Sequence, residues 1–302
     1  MSRIVVTGAD GFIGSALVIE LVIRGYDVIS VVRRKPTAHL LSSSHIVSAS
    51  EILDVKVPER IGMCDVWVHL AWHGTFGPDR SDPLVQIDNV NTFWKAMTSA
   101  AALNCHRFIS AGSIMEIEER YDSREEDKYI LRPDYNYALA KEFSKSILFS
   151  RARSLNMEGI WCVLSSVYGA GDTSSRLINY TLRSIMNGQE PSFSSAGQNY
   201  DFIYITDAVR AIISIIEDGK ANSTYHLGSG KPAPLRSFLQ TIQDNEAQDL
   251  VFHYGEGIVS GPDLPDRCFS IDKLHEDTGF KPEISFSEGI RMTRQWLESR
   301  EA

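Results

Sequence analysis

Three groups of residues in this chain have the types and spacing that chemistry needs. Tyr137-Ala-Leu-Ala-Lys141 sets a phenol and an ammonium four positions apart. On a helix that spacing shares one face, about 6 Å along the axis. An ammonium held there favours the phenolate and lowers a tyrosine pKa from its usual value of about 10, so the phenol can serve as a general acid or base near neutral pH. Ser113 lies upstream, and Gly8, Gly11 and Gly14 are spaced as Gly-x-x-Gly-x-x-Gly within Thr7-Gly-Ala-Asp-Gly-Phe-Ile-Gly14. Glycines let backbone N–H groups approach the pyrophosphate of a dinucleotide, and a helix N-terminus adds partial positive charge. The Tyr/Lys spacing occurs on many surface helices; the glycine run beside it makes it a candidate site.

These residues act together only if an ordered set of elements holds them. Ile4-Val5-Val6 predicts a first strand, 16–24 a buried helix closed by Gly25, and Val28-Ile-Ser-Val-Val32 a second strand. Ile46-Val47, Val66-Trp-Val-His-Leu70, Arg107-Phe-Ile-Ser110 and Ile160-Trp-Cys-Val-Leu164 predict further strands, with helices over 84–104 and 135–156 between them. Strands alternating with helices imply the α/β class, a Rossmann-like, doubly wound parallel sheet. Beyond residue 165 the alternation breaks into a helix over 177–187, a segment over 201–216 and a Gly/Pro-rich stretch over 228–234. The expected organisation is a dinucleotide-binding domain over 1–165, with 201–218 packing back on it. A smaller mixed C-terminal substrate-binding cap follows over 166–302.

Composition excludes several partners. The 302 residues are 43% hydrophobic and 23% charged, ordinary for a soluble globular protein. A net charge of −9 argues against nucleic acid or an acidic membrane surface as partner, while leaving room for a locally basic pocket. Cys64, Cys105, Cys162 and Cys268 are scattered without paired spacing, and read as reduced cysteines rather than a disulfide frame or zinc site. The start of the chain is too short in apolar residues and too Gly-rich for a signal peptide, and no stretch reaches membrane-spanning length. A cytoplasmic protein without bound metal is expected.

The second strand bears on the cofactor. An NAD enzyme usually offers Asp or Glu to the ribose hydroxyls there. This chain reads Val32-Arg33-Arg34-Lys35. Guanidinium groups suit a 2′-phosphate, so NADP(H) is favoured and NAD(H) is the alternative, with Asp10 in the glycine turn placed to repel that phosphate. Glu51, in Glu51-Ile-Leu-Asp54 after the third strand, could accept a hydrogen bond from the adenine amino group.

With these pieces in order the chain resembles the extended short-chain dehydrogenase/reductase family, the nucleotide-sugar epimerases, dehydratases and ketoreductases. The resemblance runs nearly end to end, through residues 7–14, Val68-His-Leu-Ala71, Asn89, Ser113, Tyr137 with Lys141, and Val167-Tyr-Gly169. It continues through Asp201-Phe-Ile-Tyr-Ile-Thr-Asp207, Tyr225-His-Leu-Gly-Ser-Gly230, and Asp266-Arg267 leading to Gly279-Phe-Lys-Pro282. It implies Tyr137 as general acid/base, Lys141 as the cation that lowers its pKa and holds the nicotinamide ribose, and Ser113 as the hydroxyl that orients the substrate oxygen. In the family the catalytic Ser or Thr lies four residues before a Val-Tyr-Gly tyrosine. Ile117 takes that tyrosine's place, which selects Ser113 and leaves Ser110 as the fallback.

The same resemblance implies cofactor contacts at Gly8, Asp10, Gly11, Phe12, Ile13 and Gly14. Arg33, Arg34 and Glu51 join them at the adenosine end, and Leu70, Ala71, Trp72, Asn89 and Val167 at the nicotinamide end. The implied substrate contacts are His73, Ser113, Ile114 and Tyr137, then Ser166, Asn179, Tyr200 and Arg267. The 4,6-dehydratases carry an Asp-Glu pair directly after the catalytic Thr, where this chain has Ile114-Met115. The 3,5-epimerase/reductases use a Cys beside the catalytic Ser and a His after the Tyr-Gly-Pro motif, and both are missing here. Tyr200 and Ser165 stand where relatives often place phosphate-gripping arginines. What remains is hydride transfer at one carbon: a ketoreductase acting at C4 of a nucleotide-linked 4-keto-6-deoxy hexose. The alternatives are a 4-epimerase with retained NAD and, from another class, a non-enzymatic dinucleotide sensor. Family habit implies a homodimer through a four-helix interface built from 84–104 and 135–156.

Overall fold

The computed structural model describes residues 2–33, 45–48, 61–122, 132–255 and 261–301. Arg34 and Glu51 lie outside the described residues. Seven strands form the main sheet: β1 (Arg3–Thr7), β2 (Asp27–Val32), β3 (His45–Ser48), β4 (Val66–His69), β5 (Arg107–Ser113), β6 (Glu158–Leu164) and β11 (Ser223–Leu227). Their spatial order is β11-β6-β5-β4-β1-β2-β3, and every neighbouring pair is parallel. Most of these strands are apolar on both faces, as a sheet covered by helices on each side requires. From β1 the chain winds outward through β2 and β3, then crosses back to build β4, β5 and β6 on the other side. The reversal opens a crevice at the carboxyl ends of β1 and β4, where Thr7 stands opposite His69.

One face of the sheet is covered by α1 (Phe12–Ile23) and α6 (Ile205–Asp218), around a core that includes Val6, Leu17, Val68 and Ile212. The other is covered by α2 (Pro83–Ala102) and α4 (Tyr135–Arg151), around Trp67, Phe93, Phe108 and Trp161. Asp82 caps α2, accepting from the Leu84 and Val85 amides. Between β5 and α4 lies α3 (Met115–Asp122), a helix that the sequence reading did not anticipate.

The C-terminal half does not stay apart from this sheet. The segment 201–216 resolves into a strand, β10 (Phe202–Tyr204), and α6, which lies against α1. The chain then adds β11 beside β6, a contribution to the sheet not foreseen from the sequence. The remaining elements are short: β7 (Ser166–Tyr168) pairs with β10, β8 (Ser192–Phe193) with β13 (His253–Tyr254), and β9 (Asn199–Tyr200) with β12 (Ala233–Pro234). Helices α5 (Leu177–Met186), α7 (Leu235–Glu246), α8 (Asp272–Thr278) and α9 (Phe286–Glu301) complete the described chain. The carboxylate of Asp207 binds this part together, accepting from the Glu283 and Ile284 amides at 2.9 and 2.8 Å. Among the described residues no helix is long and apolar enough to cross a membrane.

Candidate active site

At the end of β1 the chain must turn sharply into α1, and the glycines are what the turn needs. Gly8 sits at φ +70°, and a side chain there would put its Cβ 2.8 Å from the Ala71 nitrogen. A Cβ on Gly14 would lie 2.0 Å from the Gly8 carbonyl oxygen, so helix and strand pack at a distance only glycine permits. Gly11 caps α1 without any side-chain hydrogen bond, and the first helical turn carries no acidic residue. The first N–H groups of α1 and the positive end of its dipole are therefore uncovered by side chains. This cradle fits the pyrophosphate of a dinucleotide. Behind it, the Thr7 hydroxyl meets His69 Nδ1 at 2.9 Å and joins the ends of β1 and β4. Complete burial holds His69 neutral, with its pKa pulled down to about 3.

From the cradle a cleft of about 470 Å³ runs along the carboxyl end of the sheet. Gly8, Gly11, Phe12, Ile13 and Gly14 form one end, with Leu70, Trp72 and Val167 beside them. Ser113, Ile114, Tyr137, Lys141, Ser166 and Tyr200 line the same cleft, with Lys141 and Tyr137 against Trp72. Ser113 closes β5 and opens α3. Its hydroxyl accepts from the Met115 amide at 3.3 Å, and its own N–H donates to Glu116 Oε1 at 2.6 Å. This is a reciprocal capping box, Ser113-Ile-Met-Glu116, and it leaves the serine O–H to donate toward Tyr137 on the cleft wall. Ser110, the fallback, is fully buried against the His69 carbonyl and is not part of the cleft lining.

Tyr137 and Lys141 stand one turn apart on α4, 6% and 3% exposed. Burial pushes the Tyr137 phenol above its ordinary pKa, while the Ser113 side chain and the Arg80 and Arg176 guanidiniums draw it back. The expected partner, Lys141, has other commitments. Its Nζ donates to the Ala111 carbonyl at 2.6 Å and lies 3.6 Å over the Trp72 ring, and burial lowers its pKa. Glu116 is fully buried beneath the site, accepting from Trp161 Nε1 at 3.0 Å, and desolvation raises its pKa. Gly112 makes room for this pair: a Cβ there would meet Trp161 Nε1 at 2.2 Å and Glu116 Oε1 at 2.4 Å.

Several sequence-expected contacts are placed elsewhere. Asn89 does not line the cleft; its amide clamps the loop after β4, donating to the His73 carbonyl at 2.8 Å and accepting from the His73 N–H at 2.9 Å. His73 itself is exposed and paired with Asp79 at 3.1 Å, outside the cleft lining. Asn179 is buried and holds a loop instead, donating to the carbonyls of Asp172 and Ser174. Ala71 touches Thr7 through its N–H and stays behind the lining. Arg267 is exposed on a 3-10 turn whose Phe269, not the arginine, reaches the cleft. Asp10 and Arg33 are exposed and also outside the lining.

The structure also brings in residues that sequence reasoning missed. Arg80, Arg132 and Arg176 line the cleft with Tyr137 and with Glu118, whose carboxyl burial pushes up to about 7. Glu116 was open to discovery, since Ser-x-x-Glu ahead of a helix is a capping-box signature. The arginines had no such signal.

A sequence model described as the NAD dependent epimerase/dehydratase family matches residues 4–228. The chain is 26% identical over 336 residues to dTDP-glucose 4,6-dehydratase 1 of Escherichia coli (strain K12), covering 98% of this chain and 93% of that one. It is 24% identical to a dTDP-4-dehydro-6-deoxyglucose reductase of Escherichia coli, with 95% of each chain covered. Among solved structures, a UDP-N-acetylglucosamine 4-epimerase from Methanobrevibacter ruminantium M1, in complex with UDP-N-acetylmuramic acid, superposes with a TM-score of 0.82. Identity there is 21%, with 99% of each chain covered.

Proposed function

The chain belongs to the NAD-dependent epimerase/dehydratase family, and from that premise we propose that it moves a hydride to or from C4 of a nucleotide-linked hexose, in the reductive direction on a 4-keto-6-deoxy sugar. The observation that carries this reading is Ser113, Tyr137 and Lys141 lining the same cleft as the glycine cradle, with the phenol raised by burial. A raised phenol is protonated at neutral pH, which suits an acid that gives its proton to a substrate oxygen. Ile114 and Met115 line the cleft where a dehydratase would need acids, so the chemistry favoured is transfer at one carbon.

The N–H groups of Phe12, Ile13 and Gly14 would hold the pyrophosphate, the Gly11 N–H being taken by the Gly8 carbonyl at 3.0 Å, with Leu70, Trp72 and Val167 beside the nicotinamide. Bound there, the nicotinamide supplies or accepts the hydride. As the substrate carbonyl carbon gains it, the carbonyl oxygen gains negative charge. Tyr137 delivers its proton to that oxygen, completing the alcohol, while the Ser113 O–H donates to the same oxygen; one such donor is worth about 3 kcal/mol in a dry site. Lys141, with one N–H on Ala111, has further donors for the ribose or the phenolate left behind. Arg33, exposed at the end of β2, favours a 2′-phosphate and hence NADPH over NADH.

Leu84, Ile87 and Trp94 on α2 and Leu139 and Phe143 on α4 are exposed large apolar side chains on two helices that pack together. They support a homodimer through a four-helix interface, which sedimentation of the chain tests.

The deciding experiment supplies NADPH or NADH to the chain with a panel of nucleotide 4-keto-6-deoxy sugars. Net oxidation of NADPH, lost by a factor of about 10² to 10⁴ in Y137F, supports the proposal. Interconversion of C4 epimers without added dinucleotide would establish the epimerase instead. Turnover with NADH alone overturns the reading of Arg33.

A further inference from the structure

Arg80 lies at the end of a 3-10 turn (Pro78–Arg80) between β4 and α2, and it faces the cleft. Its guanidinium carbon stands 5.5 Å from the centroid of the Tyr137 ring. Its Nε is buried without a hydrogen-bond partner, and among the described residues the guanidinium makes no ion pair. The residue is half-buried and its charge also favours the carboxylate of Glu118, so the unpaired Nε is a cost that charge developing on a neighbouring group would offset.

The loop that presents Arg80 is fastened by side chains with no other visible task. Gln86, 2% exposed, donates from Nε2 to the carbonyls of Asp79 and Gly74 at 3.0 and 3.3 Å, and its Oε1 accepts from Trp72 Nε1 at 2.9 Å. Asn89 grips both backbone groups of His73, and Asn136 of α4 donates to the Ser81 carbonyl at 2.8 Å. Gly74 lets the loop fold on itself, since a Cβ there would sit 2.7 Å from the Asp79 oxygen. What this fastened loop shows to the cleft is Trp72, under Lys141 and edge-on to Tyr137, and Arg80 over Tyr137.

Several elements around the phenol contribute charge. Lys141 lies on its own helix, Glu116 and Glu118 on α3, Arg132 and Asp134 ahead of α4, and Arg176 ahead of α5. Asp134 is committed to Arg132 through a bidentate pair at 2.7 and 3.1 Å. Arg176 reaches across to the Thr75 hydroxyl at 3.2 Å. Lys141 Nζ is 5.8 Å from the Tyr137 ring centroid and already engaged by Ala111 and Trp72.

We propose that Arg80 is a positioning residue for proton transfer: its guanidinium holds the negative charge on Tyr137 once the phenol has given up its proton. The proposal rests on the reading of Tyr137 as the acid. It assigns to a loop arginine part of the work expected of Lys141, and it gives the Gln86 and Asn89 clamp a purpose. The direction agrees with the pull of Arg80 on the phenol against the push of burial.

The test follows Tyr137 itself. Phenolate absorbance of the full chain is titrated with saturating NADP⁺, the Y137F titration is subtracted, and kcat is measured across the same pH range. In R80Q the Tyr137 step should move up by about one pH unit, and the loss of kcat at high pH should move with it. The plateau kcat should fall roughly tenfold. R80K, which keeps the charge, should return the step most of the way. A step unmoved in R80Q, or an R80K that behaves as R80Q, overturns the proposal. So does a raised KM with the step in place, which would make Arg80 a substrate contact. Full turnover by Y137F would instead bring down the reading of Tyr137 as the acid.

Discussion

At the glycine end of the cleft the chain builds with backbone; at the Tyr137 end it builds with side chains carried on separate elements. The cradle at Gly8, Gly11 and Gly14 offers N–H groups and close packing, and no side chain caps it. The far end assembles Ser113 from β5, Tyr137 from α4, Arg80 from the loop after β4, and Arg176 from the loop before α5. Each end is therefore vulnerable in its own way. A backbone cradle fails when volume is added to it, whereas a side-chain site fails when its supports are removed.

The largest effect should come from adding volume. In Gly14→Val the new Cβ would fall against the Gly8 carbonyl. Dinucleotide affinity should drop more than about a hundredfold, and stability by about 3 kcal/mol or more, in calorimetric titration and a thermal melt. Retained binding would mean the cradle is not the dinucleotide site. Removing a support should act more gently. Asn89→Ala loses two hydrogen bonds to the His73 backbone, about 2 kcal/mol together, and should lower kcat while dinucleotide affinity stays. If affinity falls and kcat does not, Asn89 is a cofactor contact after all.

The smallest effect concerns Glu118, whose folded-state pKa of about 7 exceeds the ordinary carboxylate value. A carboxyl raised in this way contributes stability that is fully present below its unfolded pKa of about 4.3 and lost as pH rises through about 7. Glu118→Gln stays neutral. It should match the wild-type melting point near pH 4 and exceed it by a few degrees near pH 8. No difference between the two pH values would show that the carboxyl is solvated rather than held in the cleft wall.

The same contrast governs what could be read before the fold was seen. The parallel sheet was legible because its strands are short β-branched and aromatic runs, and the cradle because glycine spacing reports backbone demands directly. The Tyr/Lys pair was legible as helical spacing. Arg80, Arg132 and Arg176 were not, because loop geometry brings them together and no periodicity marks it. Asn89 and Asn179 were visible as residues, but their loop-clamping bonds were not. A buried amide that clamps a loop and one that contacts a ligand look alike in sequence. The helix Met115–Asp122 was missed although Ser113 and Glu116 spell its cap, since its polar composition carries no apolar stripe.

The seventh strand, Ser223–Leu227, has a consequence for how the molecule comes into being. Among the described residues it pairs only with β6, so the edge of β6 stays open until residues far along the chain have been made. A nascent chain that has finished the glycine cradle and the Tyr137 helix still presents a bare, apolar strand edge, the kind that recruits other chains. Folding must therefore wait on a long loop closure, and the order of synthesis leaves the chemistry assembled before the sheet that supports it is sealed.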